Sequence, residues 1–332
     1  MKITKFIIII FIFFFTFFTI GSTNEFLEWK KEFKEYALSQ GISLKILNDL
    51  IDKSIFLPDV IKYDRFQPEF YEDTKTYIFK RTSNKKLIIG KELYNENNEI
   101  IDKISEKYFI DKNLLLSLMG IETNFGKYVG KMDIVSSLAT LSYDKRRSDF
   151  FTSELITLLK LVDEKIIDPK YLLGSWAGAF GNFQFMPSTI DNHAIDHNGD
   201  NYIDLKNIED SFASAANYLS NLGWNNKVPC FYKVDLINNI PLKYLNTSAK
   251  KIKNKKKVKY FIKYINNSDF LNQYENLNAA LVTPDIDIVE NSNKYSPAYI
   301  VFDNYELILK WNRSLRFALA VCTLKEKFSN EL

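Results

Sequence analysis

Several things are scarce in this 332-residue chain, and each scarcity closes off a class of function. Lysine plus arginine number 44 against 41 aspartate plus glutamate, a formal net charge of only +3. That leaves no electrostatic footprint for a phosphate backbone, so nucleic acid is not expected as a partner. There are two histidines, His193 and His197, and neither has a cysteine or histidine neighbour at zinc-ligand spacing. Both read as loop residues. The two cysteines, Cys230 and Cys322, lie far apart. One disulfide and two buried thiols are both compatible with that pattern. No cysteine falls in the first 22 residues, so a lipid-anchored lipoprotein is not expected.

What is present describes a globular, exported protein. Hydrophobic residues make up 46% and charged residues 26%, and the length allows two or three domains with a full core. Residues 1–22 read as an export signal: Lys2 and Lys5, an uncharged apolar run from Phe6 to Ile20, then the small residues Gly21 and Ser22. The run is long for a signal and short for a span, so an uncleaved anchor is the alternative. Either way the destination lies outside the cytoplasm.

The chain is organised around Asp111–Phe125, DKNLLLSLMGIETNF. Asp111 is a good N-cap, and Leu115, Leu118, Met119 and Glu122 fall on one helical face. A carboxylate thus continues an apolar stripe close to a helix C-terminus, where Gly126 supplies the stop. Burial and the helix dipole both disfavour its charged form, so Glu122 is expected to hold a proton near neutrality. A protonated carboxylic acid at a cleft edge is what glycosidic cleavage needs as general acid.

Elsewhere, residues 26–57 have the spacing of one or two amphipathic helices ending at Pro58, and residues 74–107 read as helix. Ser148–Leu161 is strongly amphipathic, with Phe151, Leu155, Leu158 and Leu159 on one side. The segment Gly174–Ser188 is dense in small residues, which let backbone approach backbone or a ligand closely. Ser211–Leu222 is an alanine-rich helix ending at Gly223. After Trp224 the texture turns to short β-type runs, such as Cys230–Val234 and Tyr299–Phe302. The basic cluster Lys250–Lys259 reads as a solvated loop. The loop Asp196–Asn207 spaces oxygen ligands for one hard cation, Asp196, Asn198, Asp200, the Tyr202 carbonyl and Asn207, with calcium preferred. Its sixth position is Asn201 rather than glycine. Its twelfth is Asn207 rather than an acid, so Glu209 or Asp210 would have to substitute.

Five ordered blocks resemble the membrane-bound lytic murein transglycosylase B family. They are Gly120-Ile121-Glu122-Thr123-Asn124-Phe125-Gly126, Leu138–Tyr143, Arg146-Arg147, Gly174–Ala179 with Gln184–Ser188, and Trp311-Asn312-Arg313-Ser314. The resemblance implies a mainly α (α+β) fold with a lysozyme-like helical catalytic core. It implies cleavage of the β-1,4 bond between N-acetylmuramic acid and N-acetylglucosamine in peptidoglycan glycan strands, leaving a 1,6-anhydromuramoyl end. Glu122 matches the single catalytic glutamate, acting as acid and then base. Ser175 and Gln184 match contacts near the reacting sugar. Arg146 and Arg147 match a pair suited to stem-peptide carboxylates, Asn312 a cleft asparagine, and Tyr77 and Tyr218 sugar-stacking aromatics. The 196–207 loop matches the family's EF-hand-like calcium site, and no cofactor is implied for the chemistry. The sequence departs from the family at Asn182-Phe183 and at Phe150 and Phe317. A periplasmic monomer is implied, with membrane association only through the N-terminal segment.

The domains expected are the 1–22 signal or anchor, a helical domain over 23–107, a core from 108–224 and 301–332, and a β-rich insertion over 225–300. A lysozyme-type hydrolase and a non-enzymatic wall-binding protein are the competing readings.

Overall fold

The computed structural model describes residues 24–66, 72–237, 239–286, 289 and 293–332. The expected signal or anchor, residues 1–22, lies outside them. No helix among the described residues is long and apolar enough to cross a membrane.

The described chain packs as two compact units whose segments interleave along the sequence. One takes 24–66, 129–192 and 199–204; the other takes 72–128, 193–198 and 205–332. The stretch 23–107 is therefore not one packing body, because 24–66 and 72–108 belong to different units.

In the first unit, residues 24–39 form a helix that buries Phe26, Phe33 and Ala37. Trp29 lies between Phe26 and Phe33, with ring centroids 5.3 and 5.1 Å away. Pro58 does not end a helix but begins one, Pro58–Arg65. Its fixed φ and missing N–H suit the first helical position. The helix Ile134–Tyr143 starts on Asp133, whose side chain accepts from Ser136 N at 2.6 Å. Every residue from Ile134 to Ser142 is buried. It packs on the helix Ser148–Asp163, whose inward face carries Phe151, Leu155, Leu158 and Leu159, as their spacing predicts.

In the second unit the stretch 74–107 is two helices, Thr74–Arg81 and Asn84–Tyr108. The break falls where hydroxyls compete for backbone. Thr82 Oγ1 donates to Ile78 O at 2.9 Å, and Ser83 is extended. The helix Lys112–Thr123 is nearly enclosed by Asn84–Tyr108, Leu315–Ser329 and Ile208–Leu222. A small sheet follows, ordered Leu245–Asn246, Asn278–Val282, Ala298–Phe302, Phe231–Leu236, Ile265–Asn266. Its central pair is antiparallel with Phe231 opposite Val301, and only Leu245–Asn246 runs parallel to its neighbour. The Lys250–Lys259 cluster is not wholly a loop. Lys256–Lys257 pairs with Asn278–Val282, and Val258 and Phe261 are buried in the core of the sheet region.

Two links tie this region to the helices of its own unit. Cys230 and Cys322 are joined in a disulfide, with Cα atoms 6.2 Å apart. Asp285, buried, accepts from Arg316 Nη2 at 2.7 Å and from Thr74 Oγ1 at 2.5 Å. The outcome is a mainly helical fold with this sheet and, in the first unit, a two-stranded pairing of Met132–Asp133 with Leu173–Gly174, the α+β class expected from the sequence.

Candidate active site

Glu122 sits in the last turn of the Lys112–Thr123 helix. Asp111 caps the start, its carboxylate accepting from Asn113 N at 2.9 Å. The helix stops earlier than Gly126. Asn124 adopts the left-handed conformation (φ 51°), its N–H returning to Gly120 O and that of Phe125 to Met119 O. An asparagine tolerates that conformation, so it ends the helix where a glycine was expected.

The half-buried Glu122 has a defined partner. Trp311 Nε1 donates to Glu122 Oε1 at 3.1 Å. Trp311 closes the helix Asp303–Trp311, and its ring stacks on Tyr218 at 5.2 Å. Tyr218 in turn stacks on His193 at 4.5 Å. His193 is thus not a loop residue: it ends the helix Pro187–His193 and closes an aromatic row leading to Glu122. Burial lowers the His193 pKa and raises that of the Tyr218 hydroxyl. Asn312 follows Trp311 as the helix C-cap, its N–H on Ile308 O.

On its other side Glu122 opens onto a cavity of about 350 Å³ shared with Lys80, Lys85, Lys86, Asn124 and Tyr128. Of the residues lining it, Glu122 is the one carboxylic acid. Lys86 Nζ donates to Gly120 O and, at 3.2 Å, to Asn124 Oδ1, placing a cation on the C-terminal carbonyls of the Glu122 helix. Burial, and secondarily the charge of Arg81, bring Lys86 down to about 8. The sequence reading missed Trp311, Lys86 and His193 as site residues. Only the Trp311-Asn312 motif carried a signal.

Tyr77 corrects one expectation. It is 2% exposed, and the Arg81 guanidinium lies 3.5 Å from its ring centroid. A ring so enclosed offers no face to a sugar. Tyr218 is half-buried and gives its ring to two protein neighbours.

The other unit holds Arg146, Arg147, Ser175 and Gln184. Arg146 and Arg147 both pair with Asp64, which is 1% exposed. Arg146 Nη1 reaches Asp64 Oδ2 at 2.8 Å, and Arg147 donates to Oδ1. One carboxylate neutralises one of two guanidiniums, so the exposed pair keeps a net positive charge. The small-residue segment forms tight turns. Ser175 N donates to Ala179 O at 2.7 Å, and Ser175 Oγ accepts from Ala179 N at 3.1 Å. Gln184 has φ 51°, and its Nε2 donates to Val129 O at 3.1 Å and Gly181 O at 3.0 Å. Glycine is required at Gly178 (φ 86°), where a Cβ would meet the buried Leu138 side chain at 2.4 Å.

In the cation loop, one expected ligand also serves as a helix cap. Asn207 caps the helix Ile208–Leu222, its side-chain oxygen accepting from Glu209 N at 2.7 Å. That hydrogen bond uses one of the two lone pairs of the amide oxygen. The buried Asp210 instead reaches back toward the loop, accepting from His197 N at 2.8 Å. Asn201 is left-handed (φ 71°), as its loop position needs, and Asp200 Oδ1 accepts from Tyr202 N at 2.9 Å. Among the described residues no group of three or more His, Cys, Asp or Glu stands placed to hold a metal.

The fold defines a lysozyme-like class. Within it, this chain belongs to the transglycosylase SLT domain family, whose profile matches residues 25–326. It is 36% identical over 136 residues to membrane-bound lytic murein transglycosylase B of Escherichia coli K12. That match covers 41% of this chain and 38% of the relative, so the chain spans less than two fifths of that relative's length. It is similar to Pseudomonas aeruginosa SltB3, solved in complex with NAG-NAM-pentapeptide, with a TM-score of 0.80 and 28% identity. The similarity covers 92% of this chain and 79% of SltB3. Soluble lytic transglycosylase SltB1 of the same organism shares the fold, with a TM-score of 0.77 at 22% identity over 91% of this chain and 98% of SltB1.

Proposed function

We propose that this chain is a peptidoglycan lytic transglycosylase, cutting the β-1,4 bond between N-acetylmuramic acid and N-acetylglucosamine and leaving a 1,6-anhydromuramoyl end. The observation that carries the reading is that Glu122 is the one carboxylic acid among the residues lining its cavity. Glycosidases that use water as nucleophile work with two carboxyl groups. One acid suffices when the substrate brings its own nucleophile. Glu122 then protonates the glycosidic oxygen, the C1–O bond breaks, and the acetamide oxygen stabilises the cationic C1. The resulting carboxylate takes the proton of the sugar's 6-hydroxyl, whose oxygen closes on C1. No water is consumed, and proximity replaces it. The complexes of SltB3 with NAG-NAM-pentapeptide and with NAG-anhNAM-pentapeptide support this substrate class.

Ser175 and Gln184 are proposed contacts to the sugar acetamide. Arg146 and Arg147, net positive beside Asp64, are proposed contacts to peptide-stem carboxylates. Asn312 is a proposed glycan contact. Export and a periplasmic location, with residues 1–22 as the signal or anchor, belong to the same reading. So does a calcium ion on the 196–207 loop, with Asp210 in place of Asn207. A rise in thermal midpoint with millimolar calcium against a chelator tests the ion, and no rise removes it.

The test of the activity is mass spectrometry of purified sacculi digested by the protein and by Glu122→Gln. Muropeptides lighter by one water than hydrolytic products, absent with the variant, are expected. Reducing ends would move the reading to a muramidase. Substantial cleavage by Glu122→Gln would sink the one-acid mechanism.

A further inference from the structure

We infer that the lysine-rich part of the sheet region is a retention surface for the wall polymer, holding the carboxylates of its peptide stems. This rests on the reading of peptidoglycan as the substrate. Between Asp235 and Asp269 there are nine lysines and no acidic residue. The whole chain carries only +3, so the other residues together carry −6. Acids number 41 in 332 residues, and a stretch this long without one is a segregation of charge, not a composition bias.

The fold gathers these lysines within the second unit. Lys243 lies over the Tyr244 ring at 5.3 Å, and Lys263 over the Tyr260 and Tyr264 rings at 5.3 and 4.9 Å. The Tyr260 hydroxyl donates to that of Tyr244 at 2.8 Å and joins the two. The loop between is pinned to the same place: Lys253 N donates to Asn246 Oδ1 at 2.7 Å, and Asn254 Nδ2 to Lys243 O at 2.5 Å. All nine lysines are exposed. Among the described residues only Lys255 of the nine has carboxylate partners, Asp303 at 2.8 Å and Glu306 at 2.5 Å. Neighbouring ammoniums without counter-charge are complementary to a polyanion. Lysine on an edge strand also deters strand addition, which accounts for Lys256 and Lys257 but not for the seven outside that strand.

The partner that fits is a polymer rather than a bilayer. An interfacial element buries an apolar stripe among the lipid chains. Here Ile252, Val258, Phe261 and Ile265 turn into the protein, none more than 6% exposed. Among the described residues of this stretch only Leu242 is a large exposed apolar side chain. Peptide stems repeat a carboxylate along every strand, so many weak contacts act together.

The experiment is cosedimentation of the full exported protein with purified sacculi, in a Glu122→Gln background that leaves the polymer intact. Lys251→Gln/Lys253→Gln/Lys256→Gln/Lys257→Gln removes four charges from the surface, and Lys31→Gln/Lys45→Gln/Lys53→Gln/Lys107→Gln removes four exposed charges elsewhere. At ~0.05 M salt the first variant is expected to bind about tenfold more weakly, the size of several exposed ion pairs together, and the second to match the parent. The difference should vanish at ~1 M salt, where charges are screened within about 3 Å, and on sacculi whose carboxyls have been converted to carboxamides. Equal binding by all three proteins, or an equal loss in both variants, overturns the inference. So does a loss that persists on carboxamide sacculi, or one confined to phosphatidylglycerol vesicles, which would make the partner a bilayer. The parent alone supplies a second measure: binding indifferent to salt and to carboxamide conversion refutes the surface without any variant. Turnover plays no part, so a chain with intact Glu122 that is inactive on sacculi would refute the proposed function separately.

Discussion

The buried pair of Arg316 and Asp285 is the most demanding test of how the second unit is held together. Arg316 is 3% exposed and Asp285 6% exposed. Their side chains meet at 2.7 Å, and Asp285 also accepts from Thr74 N at 3.1 Å. Arg316 Nε is buried without a hydrogen-bond partner, so the guanidinium depends on Asp285 for its compensation. Arg316→Met keeps the length and apolar stem but strands the carboxylate with the Thr74 donors alone. Breaking a buried pair from one side costs about 3–5 kcal/mol, roughly 6–12 °C in thermal midpoint for a chain of this size. The double variant Asp285→Asn/Arg316→Met removes both charges and leaves Thr74 an amide oxygen. It should recover to within about 1–2 kcal/mol of the parent, because the stranded charge is gone. Urea unfolding of the four proteins closes the cycle. An Arg316→Met loss below about 1 kcal/mol, or a double variant no better than the worse single, would show that the pair is not what ties Thr74 and the end of the sheet region to the Leu315–Ser329 helix.

Two further outcomes follow from the same geometry. Gly178→Ala puts a Cβ at φ 86° and 2.4 Å from Leu138 Cδ2, for a loss of about 2–4 kcal/mol in urea unfolding; a loss under about 1 kcal/mol would mean that the turn relaxes freely. Lys86 loses its proton at about 8 in the folded protein, against the ordinary 10.5 of an unfolded lysine. Between those values the unfolded chain binds more protons, so stability rises with pH. The parent should therefore gain on Lys86→Met from about pH 8 to 10.5 and keep a constant difference below pH 8. Parallel stability curves over the whole range would place the Lys86 ammonium in water.

Much of the candidate site was legible before the fold was known, and the legible part is local. Asp111 capping Lys112–Thr123, and Glu122 continuing the stripe of Leu115, Leu118 and Met119, follow from i, i+3 and i+4 spacing alone. The inward face of Ser148–Asp163 and the tight turns of the Gly174–Ser188 segment follow from periodicity and the missing Cβ. The helix stop at Asn124 and the break at Thr82–Ser83 were misread. There, side-chain oxygens and left-handed asparagine compete with the glycine and proline signals.

What the chain alone determined is the set of helices, the inward direction of Glu122 and the blocks that mark its family. Only tertiary structure decided the partners. Trp311 reaches Glu122 across 189 residues, Asp64 takes Arg146 across 82, and Cys230 bonds Cys322 across 92. It also enclosed the Tyr77 ring under Arg81 and made Asn207 a helix cap. The physical reason is one of range. A helix is dictated by neighbours within a turn, whereas the partner of a buried polar group is whichever donor or charge the packed elements bring within about 3 Å.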